Sequence, residues 1–271
     1  MAPGPARPLD GRVAVVTGGS RGMGRAIALR LARAGAHCAI TYRRSGELAR
    51  EVVEAVEQEG VKGLAVPLEL GEPSRVRPVI ERIGETFGRV DILVASAAAT
   101  AFRPMLEQRE HNVRRTFAIS VESFIAAVQA VAPLMRGRPG RIVAVSGIDS
   151  FQAMTGHGVL GGAKAAMESL VRAFAFELGP AGITVNGVNP GFVRTESSRV
   201  YVERGLEGEY EAAVARLVPV TPVRRIGTVE DVADCVGWIV SDGAGFLTGQ
   251  IIVLDGGLTI VSPMTRLAEA P

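Results

Sequence analysis

The sequence predicts an α/β fold built on one doubly wound parallel sheet. Short, continuously apolar segments alternate with longer amphipathic segments along the chain. Continuous apolar character is typical of parallel strands, which helices cover on both faces. The first apolar segment leads into a glycine-rich turn at residues 17–24, and a stretch of good helix formers follows it. We therefore expect a Rossmann-type sheet of about seven strands, with helices on both faces and a ligand site at the carboxyl ends of the strands.

The elements are placed where apolar runs and amphipathic stretches begin and end. The first strand holds the β-formers Val13 to Val16, and the helix after the glycine turn stops at Gly35. The strands are expected at 12–17, 37–42, 63–68, 91–95, 140–146, 183–188 and 250–254. The helices are expected at 23–34, 45–59, 73–87, 120–136, 157–178 and 229–240.

The chain is expected to form a single domain over residues 11–261. No change of composition marks a second domain. The proline-rich residues 1–10 are interpreted as a flexible tail, and residues 262–271 as a C-terminal tail. Residues 192–222 are polar and charged and follow Pro190-Gly191. Their position after the sixth strand predicts a lid over a substrate site, with a plain surface insertion as the alternative.

Composition excludes several classes of function. The 271 residues are 47% hydrophobic and 21% charged, which suits one large core. The net charge of +2 does not indicate a nucleic-acid-binding surface. Cys38 and Cys235 lie in apolar segments without metal-ligand spacing, so we expect no metal and a reduced, cytoplasmic setting. We identify no hydrophobic run of membrane-spanning length, so no membrane partner is expected.

The glycine-rich turn predicts a dinucleotide phosphate site. Glycines allow a tight turn and a close approach of the backbone to the ligand, and the helix that follows presents free N–H groups and a positive dipole end. The alternative is an ordinary connecting loop. The residues expected to contact the cofactor here are Gly18, Ser20, Arg21, Gly22, Met23 and Gly24.

With these motifs, the chain resembles the short-chain dehydrogenase/reductase family from about residue 10 to residue 260. Residues 17–24 fit the family's TGxxxGxG pattern, residues 190–195 fit PGxxxT, and residues 254–257 contain its DGG. Residues 97–99 and 160–164 look most like the branch that reduces enoyl thioesters. The resemblance implies one Rossmann-type domain, a nicotinamide cofactor, and a dimer or tetramer formed through the long helices and the last strand.

The end of the second strand predicts NADP(H) as the cofactor. NAD-specific members carry an acidic residue there, whereas this chain has Arg43-Arg44-Ser45, whose guanidinium groups could pair with a 2′-phosphate. Two solvated surface arginines are the alternative. The resemblance places Glu69 near the adenine. The resemblance also adds eight residues to those expected to contact the cofactor: Leu70, Ser96, Ala97, Lys164, Pro190, Gly191, Val193 and Thr195.

The resemblance also shows that the usual catalytic side chains are substituted. The family's lysine is present as Lys164, but Leu160 stands where the tyrosine four residues earlier belongs. The enoyl-reductase branch places its tyrosine seven residues before the lysine, and that position is His157. The serine position aligns with Gly147, one residue after Ser146, and the asparagine position aligns with Ser120.

His157 and Lys164 are the predicted catalytic residues. A neighbouring lysine ammonium favours neutral imidazole, which can still donate one N–H hydrogen bond to a carbonyl oxygen. The alternative is a histidine at a helix N-terminus without a chemical role. Tyr201 and Tyr210 lie on the predicted lid and would reach the site only if the lid closes.

We expect an NADPH-dependent reductase of enoyl or keto substrates, with an acyl thioester as the small-molecule partner. The alternative is a family member that keeps the fold and the nucleotide but serves non-redox biosynthetic chemistry or nucleotide sensing, because the serine, tyrosine and asparagine are all replaced.

Overall fold

The computed structural model describes residues 7–99 and 101–262, and in them the predicted parallel sheet is confirmed. The strands are paired in the order β3-β2-β1-β4-β5-β6-β7, and every pairing is parallel. Their bounds are β1 Val13–Thr17, β2 His37–Tyr42, β3 Gly63–Pro67, β4 Ile92–Ala95, β5 Gly140–Val145, β6 Ile183–Pro190 and β7 Ile251–Leu254.

The helices lie on both faces of the sheet. Alternate residues of a strand point to opposite faces. Accordingly, Ala14 and Val16 of β1 pack in one buried core, and Val15 packs in the other. The helices are α1 Gly22–Arg33, α2 Gly46–Gln58, α3 Val76–Phe87, α4 Glu110–Phe117, α5 Ser123–Val131, α6 Gly158–Leu178, α7 Glu196–Val200, α8 Tyr210–Val220 and α9 Val229–Ile239.

The predicted helix 120–136 begins too late. The observed helical segment runs from Glu110 through α4, a π-helical turn at Ala118–Glu122 and α5 to Met135. Its first turns are polar, so hydrophobic periodicity does not reveal them.

One helical segment of the described residues, Glu110–Met135, is long and apolar enough to cross a membrane by length and composition. The expectation that no such run exists was therefore wrong. In this fold, Phe124, Val128 and Val131 of that segment are buried in the core that Val15 shares. Core packing accounts for the apolar character of this helix.

The predicted tail and lid also differ in detail. Residues 1–6 and 263–271 lie outside the described residues. Leu9, expected in a flexible tail, is buried in the core and its N–H donates to Ala34 O at 2.8 Å. The 192–222 segment contains α7 and α8, which the sequence analysis did not predict. These helices share a small apolar cluster around Tyr201 and Tyr210.

Strand order determines where a ligand can bind. The chain runs from β1 through β2 to β3 in one direction along the sheet, and it then crosses over to place β4 on the other side of β1. Thr17 Oγ1, at the end of β1, accepts the N–H groups of Ser96 and Ala97 just after β4. These bonds tie the ends of β1 and β4 together beside the reversal of strand order, and ligands of such sheets bind at that point, outside the carboxyl ends of the strands.

Candidate functional site

A cavity of about 450 Å³ lies at the carboxyl ends of the strands. The glycine turn, the ends of β2 to β6, the first turns of α6 and the start of α7 all contribute to it. Every residue predicted to contact the cofactor lines this cavity, and so does His157. The residues selected from six separate stretches of sequence are thus brought to one place.

The glycine turn has the geometry that a phosphate requires. Gly18 and Gly22 adopt φ angles of +66° and +54°, which favour glycine. A Cβ on Gly24 would clash with the carbonyl oxygen of Gly18. Among the described residues no side chain caps the N-terminus of α1, and the first turn of this helix carries no acidic residue. Its N–H groups and dipole therefore fit the pyrophosphate of a dinucleotide.

Of the two arginines expected at the 2′-phosphate, Arg43 has an acidic neighbour. Arg43 Nε lies 4.0 Å from Glu69 Oε2, and Arg115 also pairs with Glu69 at 3.5 Å. Partial burial opposes ionisation of Glu69, but the Gly71 N–H and these two arginines outweigh it and hold the pKa of Glu69 below its usual value. Arg21 pairs with Glu196 of α7 at 2.8 Å, and both side chains are exposed. It thus joins the glycine turn to the 192–222 segment.

His157 is held by a carboxylate that the sequence analysis did not single out. Its Nδ1 lies 2.9 Å from Asp149 Oδ2, and both side chains are largely buried. The imidazole stacks on Phe102 at 5.1 Å and meets the edge of Tyr201 at 4.3 Å between ring centroids. Its Nε2 is buried and has no hydrogen-bond partner in the described part of the chain.

Asp149 changes the chemistry expected of His157. A carboxylate at Nδ1 holds the proton of a neutral imidazole on that nitrogen, so Nε2 becomes an acceptor. Nε2 can donate a hydrogen bond only when the ring carries both protons. The pair is thus suited to give a proton from Nε2 and to take one back.

Lys164 is buried beside this pair. Its Nζ donates to Val145 O at 2.6 Å, and the residue is only 4% exposed. Burial lowers the pKa of Lys164 to about 8, although the carboxylates of Asp149 and Glu168 oppose the shift. The two predicted catalytic residues therefore lie near the same aspartate.

The space left by the missing serine is filled by Asp149. A Cβ on Gly147 would lie 2.6 Å from Asp149 Oδ1, so a larger residue there would displace the carboxylate. Ser146, one residue earlier, instead donates to Glu168 Oε1 at 2.6 Å. A signal for Asp149 was available, because it is a lone acidic residue just after β5 and close to the ligand edge of the sheet.

The remaining predicted positions have structural contacts in addition to lining the cavity. Thr195 caps α7 by accepting the Ser198 N–H at 3.0 Å. Gly191 N–H donates to Leu254 O, which ties β6 to β7. Tyr201 lines the cavity and donates its hydroxyl to Thr155 O at 3.1 Å, whereas the buried Tyr210 lies behind it, 3.1 Å from Ser198 Oγ.

Comparison with known proteins agrees with this architecture. A family model described as enoyl-(acyl carrier protein) reductase matches residues 18–259. The 1-cyclohexenylcarbonyl-CoA reductase of Streptomyces collinus is 37% identical over 252 residues, covering 93% of this chain and 88% of that protein.

Solved structures are similarly close. A short-chain dehydrogenase/reductase from Serratia marcescens is 33% identical with a TM-score of 0.85, and the match covers 93% of this chain and 99% of that one. A short chain dehydrogenase from Burkholderia cenocepacia in complex with NADP is 32% identical with a TM-score of 0.84 and the same coverage. The sheet order, the glycine turn and these matches show that the chain is an oxidoreductase belonging to the short-chain dehydrogenase/reductase family.

Proposed function

We propose that this protein is an NADPH-dependent reductase of enoyl or keto acyl thioesters, in which His157 supplies the proton. The observation that carries the proposal is the His157–Asp149 pair, which lines the same cavity as the glycine turn and Lys164. A pair of this kind can replace the tyrosine that the family uses and this chain lacks. The thioester class is supported by the Streptomyces collinus relative, whose name specifies a CoA ester.

NADPH is favoured over NADH by charge at the end of β2. Tyr42 ends the strand, and two exposed arginines follow where an acidic residue would bind an unphosphorylated ribose. Arg43 has Glu69 as a neighbour, whereas Arg44 forms no ion pair among the described residues. The Burkholderia cenocepacia structure with NADP supports the same choice.

The residues of the chain then have separate tasks. NADPH, when bound, supplies the hydride. Asp149 holds Nδ1 of His157 and stabilises the imidazolium, so that Nε2–H can donate to the substrate carbonyl oxygen as negative charge develops there. With a keto substrate the proton passes to that oxygen. With an enoyl thioester the same hydrogen bond stabilises the enolate.

Access to His157 requires the 192–222 segment to move, which supports its proposed role as a lid. Nε2 is buried, and the rings of Phe102 and Tyr201 pack against the imidazole. Tyr201 belongs to the apolar cluster of that segment, and Met154 and Phe192 join it from the cavity wall. A substrate reaches Nε2 only when these apolar side chains separate, and they then offer it an apolar lining.

Cofactor binding and turnover test the proposal together. NADPH is titrated by fluorescence with NADH as the control, and a panel of enoyl-CoA and 3-ketoacyl-CoA esters is then added. We expect tighter binding of NADPH and its consumption with at least one ester. Tight binding without consumption across the panel would favour the non-redox or nucleotide-sensing alternative. Equal affinity for the two nucleotides would contradict the cofactor assignment.

The proposed homo-oligomer is supported by an apolar side chain on α6. Phe176 is 85% exposed, which is unusual for so large an apolar residue on a long helix. Light scattering of the protein as it elutes from a size-exclusion column is expected to give the mass of a dimer or tetramer. The mass of a monomer would contradict the proposed homo-oligomer.

A further inference from the structure

A network of polar side chains joins α6 and the end of β6 to the turn after β5. One oxygen of Glu168 on α6, Oε1, accepts hydrogen bonds from Ser146 Oγ at 2.6 Å and from Asn189 Nδ2 at 2.7 Å. Asn189 Nδ2 also donates to Ser150 Oγ at 3.0 Å. We propose that Glu168 is a positioning residue, which holds the carboxylate partner of His157 in place through this network.

The network attaches the turn on both sides of Asp149. Ser146 lies three residues before Asp149, and Ser150 lies directly after it. The first serine is bonded to the glutamate itself, and the second is bonded to the same oxygen through the asparagine. The inference rests on the proposed function, in which the Asp149–His157 pair handles the substrate proton.

The position of the Asp149 carboxylate depends on the backbone of this turn. In the described part of the chain the carboxylate forms a hydrogen bond only with His157. Its surroundings are close on two sides, because a Cβ on Gly147 would lie 2.6 Å from Asp149 Oδ1 and a Cβ on Gly161 would clash with Asp149 O. A shift of the turn would therefore break the 2.9 Å contact with the imidazole, and no second hydrogen bond of the carboxylate would restore it.

Lys164 and Glu168 hold the end of β5 at two consecutive residues. They stand four positions apart on α6, so they share one face of the helix. Lys164 Nζ donates to Val145 O at 2.6 Å, and Glu168 accepts from Ser146, the next residue. Lys164 also lines the cofactor cavity, whereas Glu168 does not. Glu168 can therefore be replaced without removing a contact expected for the cofactor.

Hydrogen exchange at the ring of His157 tests the proposal without a substrate. Protein labelled with ¹⁵N-histidine contains three histidines, and the Nδ1–H signal of His157 is identified by its loss in His157→Phe. Exchange of this proton with water is measured at one pH in wild type, Glu168→Ala and Glu168→Gln. We expect roughly tenfold faster exchange in Glu168→Ala, because the contact with Asp149 then opens more often. Glutamine keeps an oxygen that can accept both hydrogen bonds, so Glu168→Gln should stay within about twofold of wild type.

Two further variants complete the experiment. Glu177→Ala is the matched control and should exchange like wild type, because Glu177 is exposed on the same helix and outside the cavity. If Glu168→Ala does not unfold cooperatively, the double variant Ser146→Ala/Ser150→Ala replaces it. That variant removes both attachments of the turn and leaves Glu168 bonded to Asn189, and it should accelerate exchange to a similar extent.

Two results would overturn the inference. One is exchange in Glu168→Ala at the rate of Glu177→Ala, which would leave Glu168 without influence on the pair. The other is equally fast exchange in Glu168→Gln and Glu168→Ala, which would assign the effect to charge and not to the hydrogen bonds. Unchanged turnover in His157→Phe would instead contradict the proposed function, whatever the exchange rates show.

Discussion

At the scale of single residues, the role proposed for His157 depends on its contact with Asp149. Stacking on Phe102 and the edge of Tyr201 fix the plane of the ring, and the carboxylate fixes which nitrogen carries the proton. Replacing either His157 or Asp149 should therefore slow proton transfer and leave the affinity for the cofactor unchanged.

His157→Phe and Asp149→Asn should each lower kcat for NADPH consumption by roughly 10²- to 10⁴-fold, the usual contribution of a positioned general acid. Phe keeps an aromatic ring against Phe102, and Asn keeps the shape of Asp149. The NADPH dissociation constant should change little. His111→Phe is the matched control, because His111 is exposed on α4 and outside the cavity. An active His157→Phe variant would remove the histidine from the mechanism.

Lys164 should make the stability of the protein depend on pH in the alkaline range. Its pKa is about 8 in the folded protein and 10.5 ordinarily. Between these values the unfolded chain binds more protons, so the free energy of unfolding rises with pH. The rise should be roughly 1 kcal/mol between about pH 7 and pH 9.

Urea unfolding of wild type and Lys164→Met at both pH values measures this contribution. The difference between the two proteins should shift in favour of wild type as the pH rises, because methionine carries no proton. Parallel pH dependences would contradict the lowered pKa.

At the scale of elements, two helices carry the same N-terminal motif in different settings. Thr195 caps α7 and Thr228 caps α9, each with a reciprocal bond from the third residue of its helix. Thr195 lines the cavity, whereas Thr228 does not.

This pair separates a structural cap from a role in binding. Thr228→Ala should lower the free energy of unfolding by about 1 kcal/mol, the usual value of such a cap, with no effect on NADPH affinity. Thr195→Ala should weaken NADPH binding, because α7 then loses its fixed start at the cavity wall. Calorimetry and fluorescence titration give the two quantities. Equal NADPH affinity in both variants would leave Thr195 as a cap only.

At the scale of the whole molecule, cofactor binding should stabilise the fold. The cavity is built from strand ends across the sheet, so NADPH bound there would contact elements that come apart on unfolding. A ligand at about 100 times its dissociation constant adds roughly 2.7 kcal/mol to the free energy of unfolding.

In the Arg43→Ala/Arg44→Ala variant, NADPH should lose most of its stabilising effect on the fold. Any stabilisation by NADH should stay as it is in wild type. Charge-assisted hydrogen bonds to the 2′-phosphate are worth about 1.5–3 kcal/mol each. The Tm is measured with each nucleotide, and Arg77→Ala serves as the control because Arg77 is exposed on α3, outside the cavity. A variant that NADPH still stabilises as strongly as wild type would place the 2′-phosphate elsewhere.

The sheet and the cofactor cavity could be predicted because their signals are local. Continuous apolar runs separated by helices define a parallel sheet, and its crossover rule brings all strand ends to one edge. The cofactor residues lie at those ends, so Gly18, Arg43 and Ser96 meet although they are far apart in sequence.

The environment of His157 was decided only by the tertiary structure. Phe102, Asp149 and Tyr201 come from three separate segments of the chain. None of these segments has a regular hydrophobic periodicity around the residue that contacts the imidazole. Loop paths and the packing of the 192–222 segment bring them together, and neither leaves a repeating pattern in the sequence. The sequence by itself therefore determined the fold and where the nucleotide should lie. Packing decided which nitrogen of His157 faces a carboxylate, because the contact with Asp149 exists only in the folded chain.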